Sequence, residues 1–415
     1  MDLTELYQNI IEYGEICNHC LGRMVAKRSF GLTNEMRGLG IRIAASLTLN
    51  KPYQEQSEPC WICGDIFDTL DLWTDRVLEA FCGIEGETFV IGSKIPPLMS
   101  ESEEMVWSDL GLSDPEPLKS EINREVGKRV AAKSGLIGDT KNPDLTAILN
   151  ISEGTVEVQI RPLFLYGRYL KYERGIPQTH WACRQCKGAG CEACHGTGKQ
   201  YQDSVEELIG APLLPLFKAE RVVLHGAGRE DIDAVMIGSG RPFILEIISP
   251  RVRKADPKAL EEIINTHNTG RIGVTGIRWS ARCEVETLKS HKGYKKYRIL
   301  VDIDGSVPDT ALQSAVQQLS GALIRQRTPT RVAHRRADKI RERGVLDIKY
   351  TGKDGKAFIL EVTGEAGLYI KELISGDQGR TTPSLTEILN TPARVVQLDV
   401  IHVEGIDQVK SHGTS

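Results

Sequence analysis

The 415-residue chain has no apolar run approaching the ~18 residues that a membrane-spanning helix needs. Its first twenty residues, MDLTELYQNIIEYGEICNHC, lack both a basic start and a small-residue cleavage site. A secretory signal is therefore not expected, and a cytoplasmic protein with reduced thiols is. Net positive charge is lacking too: 52 Lys+Arg stand against 56 Asp+Glu. That balance excludes an indiscriminate nucleic-acid binder but leaves room for a selective one. The shortage is uneven. Residues 1–150 hold 14 basic and 24 acidic side chains and the remainder holds 38 and 32, so a polyanionic partner is expected to meet the later part of the chain. Missing as well is the third glycine of a dinucleotide-binding loop. HGAGRED (225–231) follows an expected strand, but another strand stands where a helix would have to receive a pyrophosphate.

What is present fills more than one core, and two or three domains are expected. Residues 1–65 are helical in pattern, 66–175 mix helices with strands such as 155–170, and 176–200 form a Cys/Gly-rich knuckle or linker. From 201 to 415, short strands alternate with amphipathic helices. RVVLH (221–225), VMIGSGRPFILEII (235–248) and KKYRILVDIDG (295–305) read as strands, PKALEEIINTHN (257–268) and 308–324 as helices. Many adjacent strands imply an α+β domain on a mixed, largely antiparallel sheet.

Eight of the ten cysteines fall into CxxC pairs: Cys17–Cys20, Cys60–Cys63, Cys183–Cys186 and Cys191–Cys194. Two pairs supply the four thiolates of a tetrahedral structural zinc, so one or two ions are expected. A redox role would call for one isolated pair instead. Four thiolates leave no open position, so such a metal would be structural. Cys82 and Cys283 stand alone, and core packing is expected for both.

GREDIDA (228–234) concentrates charge at a turn between strands: a solvated hairpin tip, or a held catalytic carboxylate. It resembles the G-R-x-D motif of pseudouridine synthases. GREDID…GSGRPF, KKYRILV (295–301), QRTPTRVAHRRADKIRER (326–343), GLYIKELISGDQGRTTPSLTEIL (367–389) and RPLFLYGRYLKYERGIPQT (161–179) are similar to the archaeal tRNA pseudouridine-54/55 synthases. Val235 and Leu368 depart from that family's pattern, which commonly has arginine and threonine there. The resemblance implies a pseudouridine synthase catalytic domain and an N-terminal zinc-bearing α/β RNA-binding (THUMP-like) region. It also implies isomerisation of uridine 54 and/or 55 in the TΨC arm of tRNA, without guide RNA, organic cofactor or obligatory protein partner.

The residues fit that chemistry. A C–N glycosidic bond breaks, the base turns and a C–C bond forms, which asks for a carboxylate acting at C1′ or on the base. By position in the motif it is Asp231. Asp233 is the rival, because strand alternation would set both on one face. Burial would leave such a carboxylate protonated unless a cation offset it, and Lys371 of YIKEL is the family's basic residue; a surface lysine flanking a strand is its bland reading. Arg229 is expected to pair with Asp231 or to reach phosphate. Tyr297 would pack on the target base or take the C2′ proton, and Tyr369 would contact the nucleotide. Glu230 is expected on the opposite side.

Residues 325–343 carry Arg325, Arg327, Arg331, Arg335, Arg336, Lys339, Arg341 and Arg343 against only Asp338 and Glu342. Pro329 is expected to separate an inserting arm from a helix, the whole gripping the RNA backbone. SPRVRK (249–254) and KSHKGYKK (289–296) add basic surface. Two rival readings remain: a non-catalytic zinc-ribbon RNA scaffold, and another THUMP-linked tRNA modifier, for which the sequence holds no convincing nucleotide loop.

Overall fold

The computed structural model describes residues 2–113 and 115–405, apart from the side chains of His334 and Arg335. Two compact units divide after Arg161. In the first, three helices (Leu3–Ile11, Asn18–Arg23, Asn34–Leu49) open the chain, each started by a side chain that accepts a backbone N–H: Asp2, Cys17 and Thr33. Helices 18–23 and 34–49 meet backbone to backbone. A Cβ on Gly22 would stand 1.8 Å from the Asn34 carbonyl oxygen and one on Gly38 1.9 Å from that of Asn18, so only glycine permits the crossing. Strands β1 (Thr88–Lys94), β2 (Ile137–Gly138), β3 (Leu145–Asn150) and β4 (Thr155–Ile160) follow, in sheet order β2-β1-β3-β4. Alternate residues of β1 and β3 are buried on the face where helix Leu118–Ser134 lies, through Ile122, Val126 and Val130.

The second unit is built on ten strands: β5 (Leu163–Lys171), β6 (Arg221–Gly226), β7 (Val235–Ile248), β8 (Ile272–Ser280), β9 (Lys295–Ile303), β10 (Leu323–Arg327), β11 (Ile340–Asp354), β12 (Ala357–Gly364), β13 (Thr381–Thr382) and β14 (Ala393–Val403). Nine run in the order β13-β10-β11-β12-β9-β14-β7-β5-β8, and β6 pairs with β7. β14 lies parallel to β7, whereas the other described pairings of this sheet are antiparallel. Phe243, Leu245 and Ile247 of β7, Ile299 and Val301 of β9, and Leu360 and Val362 of β12 form its core with helices Val205–Phe217, Pro257–His267 and Asp309–Leu319. Each such side chain contributes about 1.5–3 kcal/mol by leaving water.

Several expectations need revision. The stretch 155–170 is two strands on two sheets, because Pro162 breaks it, so the units part at 161/162 and not near 175. The helix expected over 308–324 stops at Leu319, and the left-handed Gly321 turns the chain into β10. Cys82 and Cys283, expected in cores, are exposed: one follows the last turn of helix Leu70–Phe81, the other opens helix Arg282–Ser290.

Candidate active site

The turn between β6 and β7 is anchored from beneath. Glu230 points inward and is buried, accepting hydrogen bonds from Tyr169 Oη at 2.7 Å and Arg241 Nε at 2.8 Å, with Lys171 Nζ 3.9 Å away. Burial disfavours its charge, but Arg241 and Lys171 outweigh that and hold its carboxyl below the usual range. Gln178 donates to the Gly228 carbonyl and to Tyr169 Oη, each at 3.0 Å. Gly228 is left-handed (φ +80°), and a Cβ there would press on Lys295 Nζ at 2.8 Å and Arg241 Nη1 at 3.3 Å. Ala234 N–H closes the turn onto the Asp231 carbonyl at 3.1 Å. Asp231 and Asp233 therefore lie in a turn, not on a strand as expected, and strand alternation does not place them.

Their carboxylates nevertheless meet the same cation. Lys371 Nζ stands 3.4 Å from Asp231 and 2.8 Å from Asp233. It occupies the first turn of helix Ile370–Ser375, not a strand flank. Arg331, expected among the RNA-gripping residues, reaches Asp231 Oδ1 at 3.1 Å, and Glu372 fixes its other side at 2.7 Å. Asp231 thus lies between two cations and Asp233 takes the closer bond from one. Burial works against the charge of Asp233, yet the hydrogen bond and charge of Lys371 keep its carboxyl below the usual range.

These groups open onto a cavity of about 720 Å³, a size suited to one nucleotide. Asp231, Asp233, Tyr297, Tyr369, Arg229 and Lys371 all line it, with Lys289, Lys292, Lys295, Arg331 and Arg336 adding positive charge. Tyr297 faces it from β9. Burial, with the charge of Asp231 adding and Arg241 opposing, pushes its phenol up to about 12, so the hydroxyl stays protonated at neutral pH. Arg229 stacks on Trp181, 4.7 Å from the ring centroid. Arg336 donates to Tyr369 Oη at 3.0 Å.

The basic segment 325–343 has a different form from the one expected. It is strand β10, a short 3₁₀ helix over Thr330–Arg335, and strand β11. Ile324 and Gln326 of β10 are buried while Arg325 and Arg327 are exposed. The buried Gln326 accepts from Tyr369 N–H at 2.8 Å and donates to its carbonyl at 2.9 Å, which fixes the strand beside the pocket helix. Arg327 pairs with Asp338 at 2.8 Å, Lys339 is exposed, and the side chain of Arg335 lies outside the described residues. Sequence reasoning missed Glu230, Arg241, Tyr169, Glu372 and Lys295. Only Lys295 left a signal, the period-two spacing that puts it on the face of Tyr297.

The eight paired cysteines form two groups, Cys17/Cys20/Cys60/Cys63 and Cys183/Cys186/Cys191/Cys194, each with sulfurs within 4.8 Å of one another. Individual Sγ separations of 3.6–3.9 Å are far beyond a disulfide bond. They match the ~3.8 Å edge of a tetrahedron with ~2.3 Å Zn–S bonds. Arg23 Nη2 donates to Cys20 Sγ, and the amides of Gly190 and Gly198 donate to Cys186 and Cys194 Sγ, all at 3.2 Å. Such donors suit thiolates, and these residues fit a zinc ion.

Carboxylates held between cations at the mouth of a sheet-borne basic pocket are what the sequence resemblance to pseudouridine synthases called for. A family model described as "Pus10, C-terminal" matches residues 164–404, and one described as "Pus10 THUMP domain, archaeal" matches 73–150. The chain belongs to the Pus10 family. It is 42% identical to "tRNA pseudouridine synthase Pus10" of Methanothrix thermoacetophila, covering 99% of this chain and 96% of that one. Its counterpart in Halorubrum lacusprofundi is also 42% identical, covering 98% of each chain. The Pyrococcus furiosus protein of the same name is 38% identical over 97% of this chain and 98% of its own.

Proposed function

We propose that this chain is a tRNA pseudouridine synthase, converting uridine 54 and/or 55 of the TΨC arm without guide RNA or organic cofactor. Membership of the Pus10 family supports the activity. The observation that carries the site assignment is Asp231, held between Arg331 and Lys371 on the wall of a basic cavity. The two cations fix its carboxylate in place on the cavity wall. Asp231 then acts as nucleophile on C1′ or on the ring. The C1′–N1 pair leaves with the uracil, the ring turns, C5 bonds C1′ as the bond to the Asp231 carboxylate breaks with its pair returning to oxygen, and the C5 proton is lost while N1 gains one, so no electron acceptor is required. Tyr297, protonated and facing the cavity, suits packing on the base better than proton abstraction. Stacking worth ~1–3 kcal/mol helps to repay extrusion of the nucleotide.

Zinc in the two cysteine groups would be structural, joining sequence-distant pairs in the first group and closing a short loop in the second, while supplying no step of the reaction. Residues 66–161 provide the THUMP-like RNA-binding region after the helical 1–65, 176–200 the zinc knuckle, and 201–415 together with strand β5 the catalytic domain; of these, 406–415 lie outside the described residues. Arg325, Arg327, Arg331, Arg335, Arg336 and Lys339 are assigned to tRNA contact. Among the described residues no helix is long and apolar enough to cross a membrane. The enzyme is assigned to the cytoplasm, acting without an obligatory protein partner. The test is a tRNA transcript tritiated at uridine C5. Label should leave the T-arm uridines with no added cofactor, and an unaltered Asp231→Asn would overturn the assignment.

A further inference from the structure

Lys295 lines the same cavity, and no step above uses it. It stands two residues before Tyr297 on β9, so the pleat sets both side chains on one face. The bare Cα of Gly228 makes room for its amine beside Arg241. Arg241 is engaged by Glu230 and the Ala227 carbonyl, and Glu230 by Tyr169 and Arg241. Among the described residues none forms a hydrogen bond or ion pair with Lys295 Nζ. A half-buried amine without an acceptor is costly unless a ligand supplies one. Burial, with Arg241 adding and Glu230 opposing, brings it down to about 7. At neutral pH it is divided between ammonium and amine, and both forms donate.

Resting on the reading of the cavity as a uridine-isomerising site, we propose that Lys295 is a further catalytic residue whose Nζ donates to a uracil carbonyl both before and after the ring turns. The chemistry of the turn makes one fixed donor sufficient. Exchanging N1 for C5 at C1′ is a half-rotation about the N3–C6 axis, which brings the C2 carbonyl where the C4 carbonyl stood and the reverse. A donor on a rigid strand therefore meets a carbonyl oxygen in both orientations. Cytosine would present an amino group in one of them, donor facing donor, so the same contact favours uracil. Lys295 forms no covalent bond and keeps its proton.

The test is a cycle of variant against substrate, using the full chain, single-turnover tritium release from C5, and uridine or 4-thiouridine at the target. Sulfur is the weaker acceptor. The wild-type protein should slow by about 3- to 10-fold on the thio substrate. Lys295→Met should be slower by about 10- to 100-fold on uridine, bind tRNA within about twofold of wild type, and show no further loss on 4-thiouridine. Lys295→Arg, which keeps a donor, should retain sulfur sensitivity; should the methionine variant misfold, Lys295→Leu, equally without a donor, takes its place in the cycle. Losses that multiply, leaving Lys295→Met as sulfur-sensitive as wild type, overturn the proposal. A wild-type protein that releases no label sinks the uridine-isomerising reading instead.

Discussion

Asp231 and Asp233 share Lys371, yet their surroundings separate them. Asp231 also has Arg331, and its side chain is 30% exposed against 69% for Asp233. Asp231→Asn should lower single-turnover tritium release by at least about 10³-fold, whereas Asp233→Asn should stay within about tenfold of wild type; the opposite ranking would move the nucleophile. Glu372 does not line the cavity but fixes Arg331, which does. Glu372→Gln should therefore leave tRNA affinity in place while single-turnover tritium release falls by about tenfold, as Arg331 loses part of its anchoring beside Asp231. Asp231, Tyr297 and Lys371, which the fold brings to one cavity, could be singled out because each sits in a short motif of its own. The partners of Glu230 were not, since Tyr169 lies 61 residues away and nothing in either stretch marks the pair.

At the scale of elements, the 227–234 turn depends on a buried charge. Glu230→Ala would strand Arg241 and should cost about 3–5 kcal/mol in urea unfolding. Its folded pKa lies below the unfolded ~4.3. The stability it adds is therefore present above about pH 4.3 and lost as pH falls through the lower folded value. Glu230→Gln should flatten stability against pH on that acid side, and an unchanged slope would show that the network is not what titrates. The strands around the turn were readable from apolar periodicity. Segment 325–343 was not, because within it the buried position of β10 is Gln326 and the exposed ones are Arg325 and Arg327, so a strand pattern carried by polar residues read as a charge run.

At the scale of the molecule, the Cys17/Cys20/Cys60/Cys63 group ties two stretches of the N-terminal unit within its core, whereas the Cys183/Cys186/Cys191/Cys194 group closes one short loop. Stripping metal with a strong chelator should lower the melting temperature and release zinc at one or two equivalents, and an unchanged melt with no zinc released would remove the metal from the description. Binding of the tRNA transcript should weaken steeply with salt, because counterions return to the phosphates as basic contacts are lost. Alanine at Arg325 and Lys339 together should make that slope shallower by about two. The opposite charge balance of the two halves was visible in composition alone, whereas the boundary at 161/162 was hidden because β4 and β5 run on as one apolar pattern across Pro162.

The sheet order has a bearing on synthesis. β14 is the strand through which β9 and β7 are joined, and it is the last of the ten to be made. The turn carrying Asp231 belongs to the β7 side, whereas Tyr297 and Lys295 belong to the β9 side. A nascent chain therefore holds both sides of the pocket before the strand that joins them in one sheet exists. Residues 393–403 must be delivered before those two sides share a ladder, so the pocket walls are braced against each other only after the other described strands of this sheet have been made.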